Sequence, residues 1–192
     1  MNAAVRLVIR LSYYPSRWFN RGMCVVGIWN RWDWIDESVL FGQVPARRDL
    51  PRLQSLGIRA IVNMCAESVS DPETLKQCEI EEFRLPTVDF HSPSAADLKR
   101  GVEYLREQVS RGRKVYVHCK AGRGRGPLMV LCYLIASRGL TATEAFAIIK
   151  QARPHVNSRL DRRPVAQAVE KMMREGAFAD SPPTAASSDV AR

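Results

Sequence analysis

Residues 115–127 read VYVHCKAGRGRGP and place one thiol, Cys119, six positions before a guanidinium, Arg125. The apolar run ending at His118 predicts a strand, and Pro127 suits the first turn of a helix, so the intervening residues form a tight loop between them. Gly122 and Gly124 let that backbone curl until its N–H groups point inward, and the helix N-terminus adds its positive end. Lys120, Ala121, Gly122, Arg123, Gly124 and Arg125 therefore make a cradle for phosphate. Inward amides, helix dipole and guanidinium all favour thiolate over thiol at Cys119, which makes it a nucleophile at neutral pH. Arg125 can hold two phosphoryl oxygens bidentately and stays charged as a transition state forms. His118 is read as orienting the loop through hydrogen bonds rather than acting as a base.

The rest of the composition narrows the partners. The chain has 192 residues, 46% of them apolar, and a formal charge of +9. This fits one domain with a good core and excludes collagen-like, repeat-built and wholly disordered chains. Arginines number 23 and lysines 6. The planar five-donor fork of arginine matches phosphate oxygens in pairs, so this excess favours an anionic partner. The five cysteines form no C-x-x-C pair, and the three histidines lie at no metal-ligand spacing from them. No metal site or disulfide framework is expected, and the odd thiol count fits a reducing intracellular compartment, cytoplasmic or membrane-associated.

The elements that must position the loop follow an α/β alternation. Strands are expected at Val39–Gly42, Ile58–Met64, Phe83–Val88 and Val115–His118. Helices are expected at Asp49–Leu56, around Pro72–Cys78, from Ser94 to Gly112, at Pro127–Arg138, from Thr141 to Ala152 and at Asp161–Glu175. Ser94 with Asp97, and Thr141 with Glu144, resemble capping boxes. The class is α/β, with a central, mostly parallel sheet of four or five strands flanked by helices.

Three regions are distinguished. Residues 30–176 form the domain. Residues 1–29 open a stretch whose first 32 positions hold five arginines with no acid before Asp33, interleaved with apolar residues. They are read as an interfacial anchor, a targeting segment or a packed extension. Residues 177–192 lack core-forming side chains and are expected to be disordered. No apolar run reaches the length of a spanning helix.

The loop H-C-K-A-G-R-G-R resembles the H-C-x-x-G-x-x-R loop of the cysteine-dependent protein tyrosine and dual-specificity phosphatases. Its K-A-G-R-x-R interior is similar to the mitochondrial-type phosphatidylglycerophosphate phosphatase branch. Residues 30–48 and Leu85-Pro86-Thr87-Val88-Asp89 are similar to the same branch, so the resemblance covers roughly residues 30–175. It implies the cysteine-phosphatase fold and hydrolysis of a phosphomonoester through a phosphocysteine, with no cofactor. Its substrate would be a phospholipid such as phosphatidylglycerophosphate, or a phosphoprotein. It also implies that Asp89 is the general acid and base, with Asp97 the fallback. A bare Asp after a strand is otherwise a turn former. The family has Ser or Thr directly after the loop arginine, and here Gly126 stands there. The missing hydroxyl predicts a slow second step.

Lys120 and Arg123 are expected to meet a second phosphate or an acidic headgroup, with Arg153, Arg159, Arg162 and Arg163 rimming the same mouth. Trp29, Trp32 and Trp34 either anchor at a lipid interface or plug the sheet. Peripheral contact with an anionic membrane, a monomeric state and no nucleic-acid partner are expected. Three rivals stand beside this reading: a rhodanese-like transferase, whose loop has four residues between cysteine and arginine where this chain has five, a phosphate-binding module without turnover, and a nucleic-acid binder, suggested by charge but lacking a recognisable motif of aromatic platforms on a basic groove.

Overall fold

The computed structural model describes residues 18 and 20–178, and its architecture rests on five strands with helices on both faces. In chain order the elements are β1 (Trp32–Trp34), β2 (Val39–Gln43), α1 (Leu50–Ser55), β3 (Ile58–Cys65), α2 (Pro72–Gln77), β4 (Glu81–Thr87), α3 (Ala95–Ser110), β5 (Lys114–Cys119), α4 (Arg125–Arg138), α5 (Ala142–Ala152) and α6 (Pro164–Arg174). The strand order is β1-β2-β5-β3-β4. All neighbours are parallel except β1, which pairs antiparallel with β2. The α/β expectation holds.

Strands covered on both faces read as continuous apolar runs, because alternate side chains meet different layers. In β5, Val115 and Val117 join one core with α3, α4, α5 and α6, while Tyr116 joins a second core with Leu50, Leu53 and Leu75. Helix α4 is apolar all round, and Leu128 through Ile135 are all buried. It fixes the loop before it rigidly onto the sheet.

Sequence and structure differ at several element ends. Helix α4 begins two residues before the expected Pro127, at Arg125. Helix α6 begins at Pro164 rather than Asp161, because a proline lacks the N–H and clashes with the preceding turn anywhere but a helix start. Strand β1 was not expected, being three residues on a sheet edge. Thr141 and Glu144 do form a full capping box on α5, and the Ser94 hydroxyl accepts from the Asp97 N–H at 3.0 Å to cap α3.

The expected boundaries also shift. Phe178, assigned to the tail by sequence, is 5% exposed in the core, and its carbonyl accepts from Arg106 Nη1 at 2.8 Å. The order therefore reaches at least Phe178, and the rest of the tail lies outside the described residues. Residues 20–25 are helical, and Asn20 is buried. Gln43 Nε2 donates to Cys24 Sγ at 2.9 Å, which ties this segment to the C-terminal end of β2. In the described part of residues 1–29, Asn20 is buried while Val25, Val26 and Ile28 are exposed. The anchor and targeting readings fall mainly on residues outside the description.

Candidate active site

In open α/β sheets, sites form beyond the carboxyl ends of strands where the chain order reverses, and β5 lies between β2 and β3 at such a point. The segment from Cys119 to Arg125 leaves β5 there. Its carbonyls are turned outward and captured one after another. Val44 N–H donates to the Lys120 carbonyl at 3.4 Å, and Arg153 donates to the carbonyls of Ala121 at 3.5 Å and Gly122 at 2.9 Å. Asn157 N–H meets the Arg123 carbonyl at 2.8 Å, and Leu128 N–H that of Gly124 at 2.9 Å. With five successive carbonyls held outward, the peptide N–H groups are left to face the centre, as an anion cradle needs.

One glycine makes this curl possible. Gly122 has φ +65, and a Cβ there would lie 2.5 Å from the Gly42 carbonyl carbon. The loop thus passes directly against β2, where Gly42 pairs with His118. Cys119 is 3% exposed and lines a cavity of about 260 Å³ together with Lys120, Arg123, Arg125 and Asp89. Cys65 and Cys132 do not line it, and burial pushes both thiols above their ordinary range.

Arg125 is the most heavily bonded side chain in the site. Its Nη1 donates to Glu67 Oε2 at 2.9 Å and to the Thr87 carbonyl at 2.7 Å. Its Nη2 donates to Glu67 Oε1 at 2.7 Å and to Asp89 Oδ1 at 2.9 Å. Burial works against the charge, but the bonds to Glu67 outweigh it, and the guanidinium stays above its ordinary pKa. Such a fork is fixed in plane and charge before any ligand enters. Asp89 also accepts from Lys120 Nζ at 3.1 Å, so the candidate acid lies beside both cations.

Asp89 stands on a turn after β4. Phe90 carries φ +64, and the His91 Nδ1 lies 3.0 Å from the Asp89 carbonyl. Asp97, the fallback, instead bonds Ser94 and Arg100 at the start of α3 and does not line the cavity. The structure brings Cys119, Arg125 and Asp89 together and leaves Asp97 out.

His118 departs from expectation. Burial, partly offset by a loose contact with the Cys119 backbone, pushes its pKa down to about 3, so the ring is neutral. Neither ring nitrogen has a full hydrogen-bond partner among the described residues. The ring stacks near Tyr116 at 5.7 Å and supports the loop by packing rather than by hydrogen bonding.

Of the four arginines expected at the mouth, Arg163 lines the cavity and Arg159 and Arg162 do not. Arg153 is 0% exposed and sits behind the loop. Its Nη1 meets Asp33 Oδ2 at 2.5 Å and the Asn30 carbonyl at 3.1 Å, while Nε holds Gly122. The paired carboxylate and the outward carbonyls draw this charge inside, where a lone guanidinium would not be tolerated. Trp29 neither plugs the sheet nor faces outward alone: it stacks on His155 at 4.7 Å and lies 5.1 Å from the Arg123 guanidinium.

Glu67 and Asn20 were missed. Glu67 follows β3 on a loop fixed by Asn63, whose Nδ2 donates to the Ser68 carbonyl at 3.1 Å and whose Oδ1 accepts from Cys65 N–H at 2.9 Å. Nothing in the spacing of an acid 58 positions before Arg125 marks the pair. A thiol, an anion cradle, a preset guanidinium and a neighbouring carboxyl can together carry in-line displacement at phosphorus.

Comparison with known proteins gives the same direction. Residues 39–162 match the family described as dual specificity phosphatase, catalytic domain. The phosphatidylglycerophosphate phosphatase PTPMT2 of Arabidopsis thaliana is 34% identical over 167 residues, covering 85% of this chain and 73% of that protein. The phosphatidylglycerophosphatase and protein-tyrosine phosphatase 1 of Homo sapiens is 32% identical over 183 residues, covering 89% and 90%. Among solved structures, that of PTPMT1 in complex with PI(5)P superposes with a TM-score of 0.72 at 30% identity, covering 77% of this chain and 99% of the other.

Proposed function

The chain belongs to the dual-specificity phosphatase catalytic-domain family, and from that premise we propose that it hydrolyses the phosphomonoester of a phospholipid such as phosphatidylglycerophosphate through a phosphocysteine on Cys119. The observation that carries the mechanism is the convergence of Cys119, Arg125 and Asp89 on one cavity. Relatives named for phosphatidylglycerophosphate support the substrate.

The steps follow from the bonds present. A phosphoryl group entering the cradle competes with Asp89 for the donors of Arg125 and Lys120, and its oxygens take them over. Sγ of Cys119 attacks phosphorus in line, the bond to the leaving alkoxide breaks, and Asp89, released from the two cations and carrying a proton taken from solvent, gives that proton to the departing oxygen. Asp89 then takes a proton from water, whose oxygen attacks phosphorus; the P–S bond breaks and phosphate and thiolate are released. Arg125 holds two equatorial oxygens throughout. The amides and guanidinium supply the positive charge that a metal provides elsewhere.

Gly126 governs the second step. A Cβ at this position would lie 3.7 Å from Cys119 Sγ and no closer than 3.4 Å to any backbone atom, so a serine fits and its hydroxyl reaches the sulfur. A hydrogen bond to the departing thiolate is worth about 1–3 kcal/mol, one to two decades in rate. Pre-steady-state release of a chromogenic leaving group is expected to show a burst, and Gly126→Ser to raise steady-state turnover while Gly126→Ala does not. Linear progress curves without gain from serine contradict this.

The substrate is taken to be met at an anionic membrane surface by a monomer. Phe90 at the cavity is 88% exposed, and Val25, Val26 and Ile28 on the adjoining segment are exposed as well. These apolar tips beside a basic cavity support interfacial contact. Among the described residues no helix is long and apolar enough to cross a membrane. Phosphate release measured over phosphatidylglycerophosphate, phosphoinositides, phosphotyrosine peptide and phosphoserine peptide tests the reading, with Cys119→Ser as the blank. Preference for phosphatidylglycerophosphate is expected, and preference for either peptide overturns it.

A further inference from the structure

We infer that Arg163 and Asn157 form a second anion subsite at the mouth of the Cys119 cavity, which selects substrates bearing a second phosphate a short polyol away from the scissile one. The inference rests on the phosphatase reading of the cavity. It deepens that reading by saying what the rest of the cavity is for.

The cavity exceeds what the reaction requires. At about 260 Å³ it holds the volume of several water molecules, each about 30 Å³, and so has room beyond a single phosphoryl group. Four cations line it, and three have work at the loop. Arg125 is held by Glu67 and Asp89, and Lys120 by Asp89. Arg123 donates its Nε to the His155 carbonyl at 3.0 Å and lies over Trp29.

Arg163 differs from these three. Its Nη1 donates to the Ser92 hydroxyl at 3.1 Å, a neutral partner, and among the described residues no carboxylate pairs with it. Its backbone is fixed by Pro164 at the start of α6, so the side chain springs from a rigid point. Asn157 is equally well placed. Its N–H is anchored on the Arg123 carbonyl at 2.8 Å, and its Nδ2 lies 3.2 Å from where a Gly124 Cβ would be, directly over the loop. A guanidinium and an amide beside the cradle are donors matched to a second set of phosphate oxygens, with the amide oxygen left to accept from a polyol hydroxyl. A glycerol-linked diester in a lipid headgroup and a soluble bisphosphate share this chemistry.

Competition against an aryl phosphate reads the subsite without needing turnover of a lipid. In the wild-type protein glycerol bisphosphate is expected to inhibit about 10- to 100-fold more tightly than glycerol monophosphate, the worth of a hydrogen bond to a charged group. In Arg163→Ala that ratio collapses to about two- or threefold, Asn157→Ala lowers it less, and Arg163→Lys restores part of it. Arg163 gives its helix no side-chain cap, so these variants keep the fold. Equal inhibition by the two ligands in the wild-type protein, or a ratio unmoved by Arg163→Ala, overturns the inference.

A second comparison separates the sources. The ratio of kcat/KM on phosphatidylglycerophosphate in micelles to that on aryl phosphate should fall in Arg163→Ala by a similar factor, and so should the ratio for the deacylated soluble headgroup. A fall confined to the micellar lipid makes Arg163 a membrane contact and overturns the subsite. Failure of the wild-type protein to cleave lipid or headgroup overturns the lipid reading alone, since the inhibition ratios still decide the subsite.

Discussion

Cys119→Ser lowers turnover of every phosphomonoester to the blank rate, a loss of about 10⁴-fold or more, while leaving the fold and the binding of phosphate intact. The size follows from what surrounds the side chain. A serine hydroxyl needs a base to become a nucleophile, and the imidazole preceding it in the chain, His118, is buried, with its pKa pushed down to about 3, and does not line the cavity. The outward-turned carbonyls and Arg125 do not depend on the sulfur, so the cradle survives the exchange. Steady-state assays, thermal melting and phosphate titration check the three parts. Appreciable residual activity in a clean preparation contradicts the assignment of Cys119.

Arg125→Lys has the next largest effect, because the lysine keeps the charge but loses the fork. A single ammonium cannot hold both Glu67 oxygens and the Thr87 carbonyl and still offer two parallel donors to a phosphoryl group. Transition-state charge left without its planar partner costs about three decades in kcat, within the range seen when such cations are removed. The buried Glu67 carboxylate keeps a cation nearby but loses one of its two bonds, and thermal stability falls by about 1–3 kcal/mol. The expected signature is a kcat loss far larger than the change in KM, with a lowered melting temperature. An unchanged kcat removes Arg125 from the transition state.

How much of this was legible in the sequence depends on whether the signal was local. The loop was legible because strand, glycines, thiol and guanidinium lie within a few residues and impose one geometry. The capping box of Thr141 and Glu144 was local as well. Glu67 was not: its pairing with Arg125 is produced by the register of β3 against β5 and by Asn63 tying down the following turn. Arg153 looked like a rim cation among its neighbours, and only Asp33, 120 positions earlier, and the loop carbonyls explain its burial. Phe178 followed the same rule, a lone aromatic in a small-residue tail that joins the core beside α3, where Arg106 holds its carbonyl.

The central claim is that a phosphoryl group passes through the sulfur of Cys119, and the most direct measurement is to stop turnover of an aryl phosphate within the burst and analyse the peptides by mass. The account predicts one added phosphoryl group on the peptide carrying Cys119, absent in Cys119→Ser and reduced in Gly126→Ser. Turnover that proceeds at full rate with that peptide unmodified at every time point, or with the phosphoryl group on another residue, contradicts it.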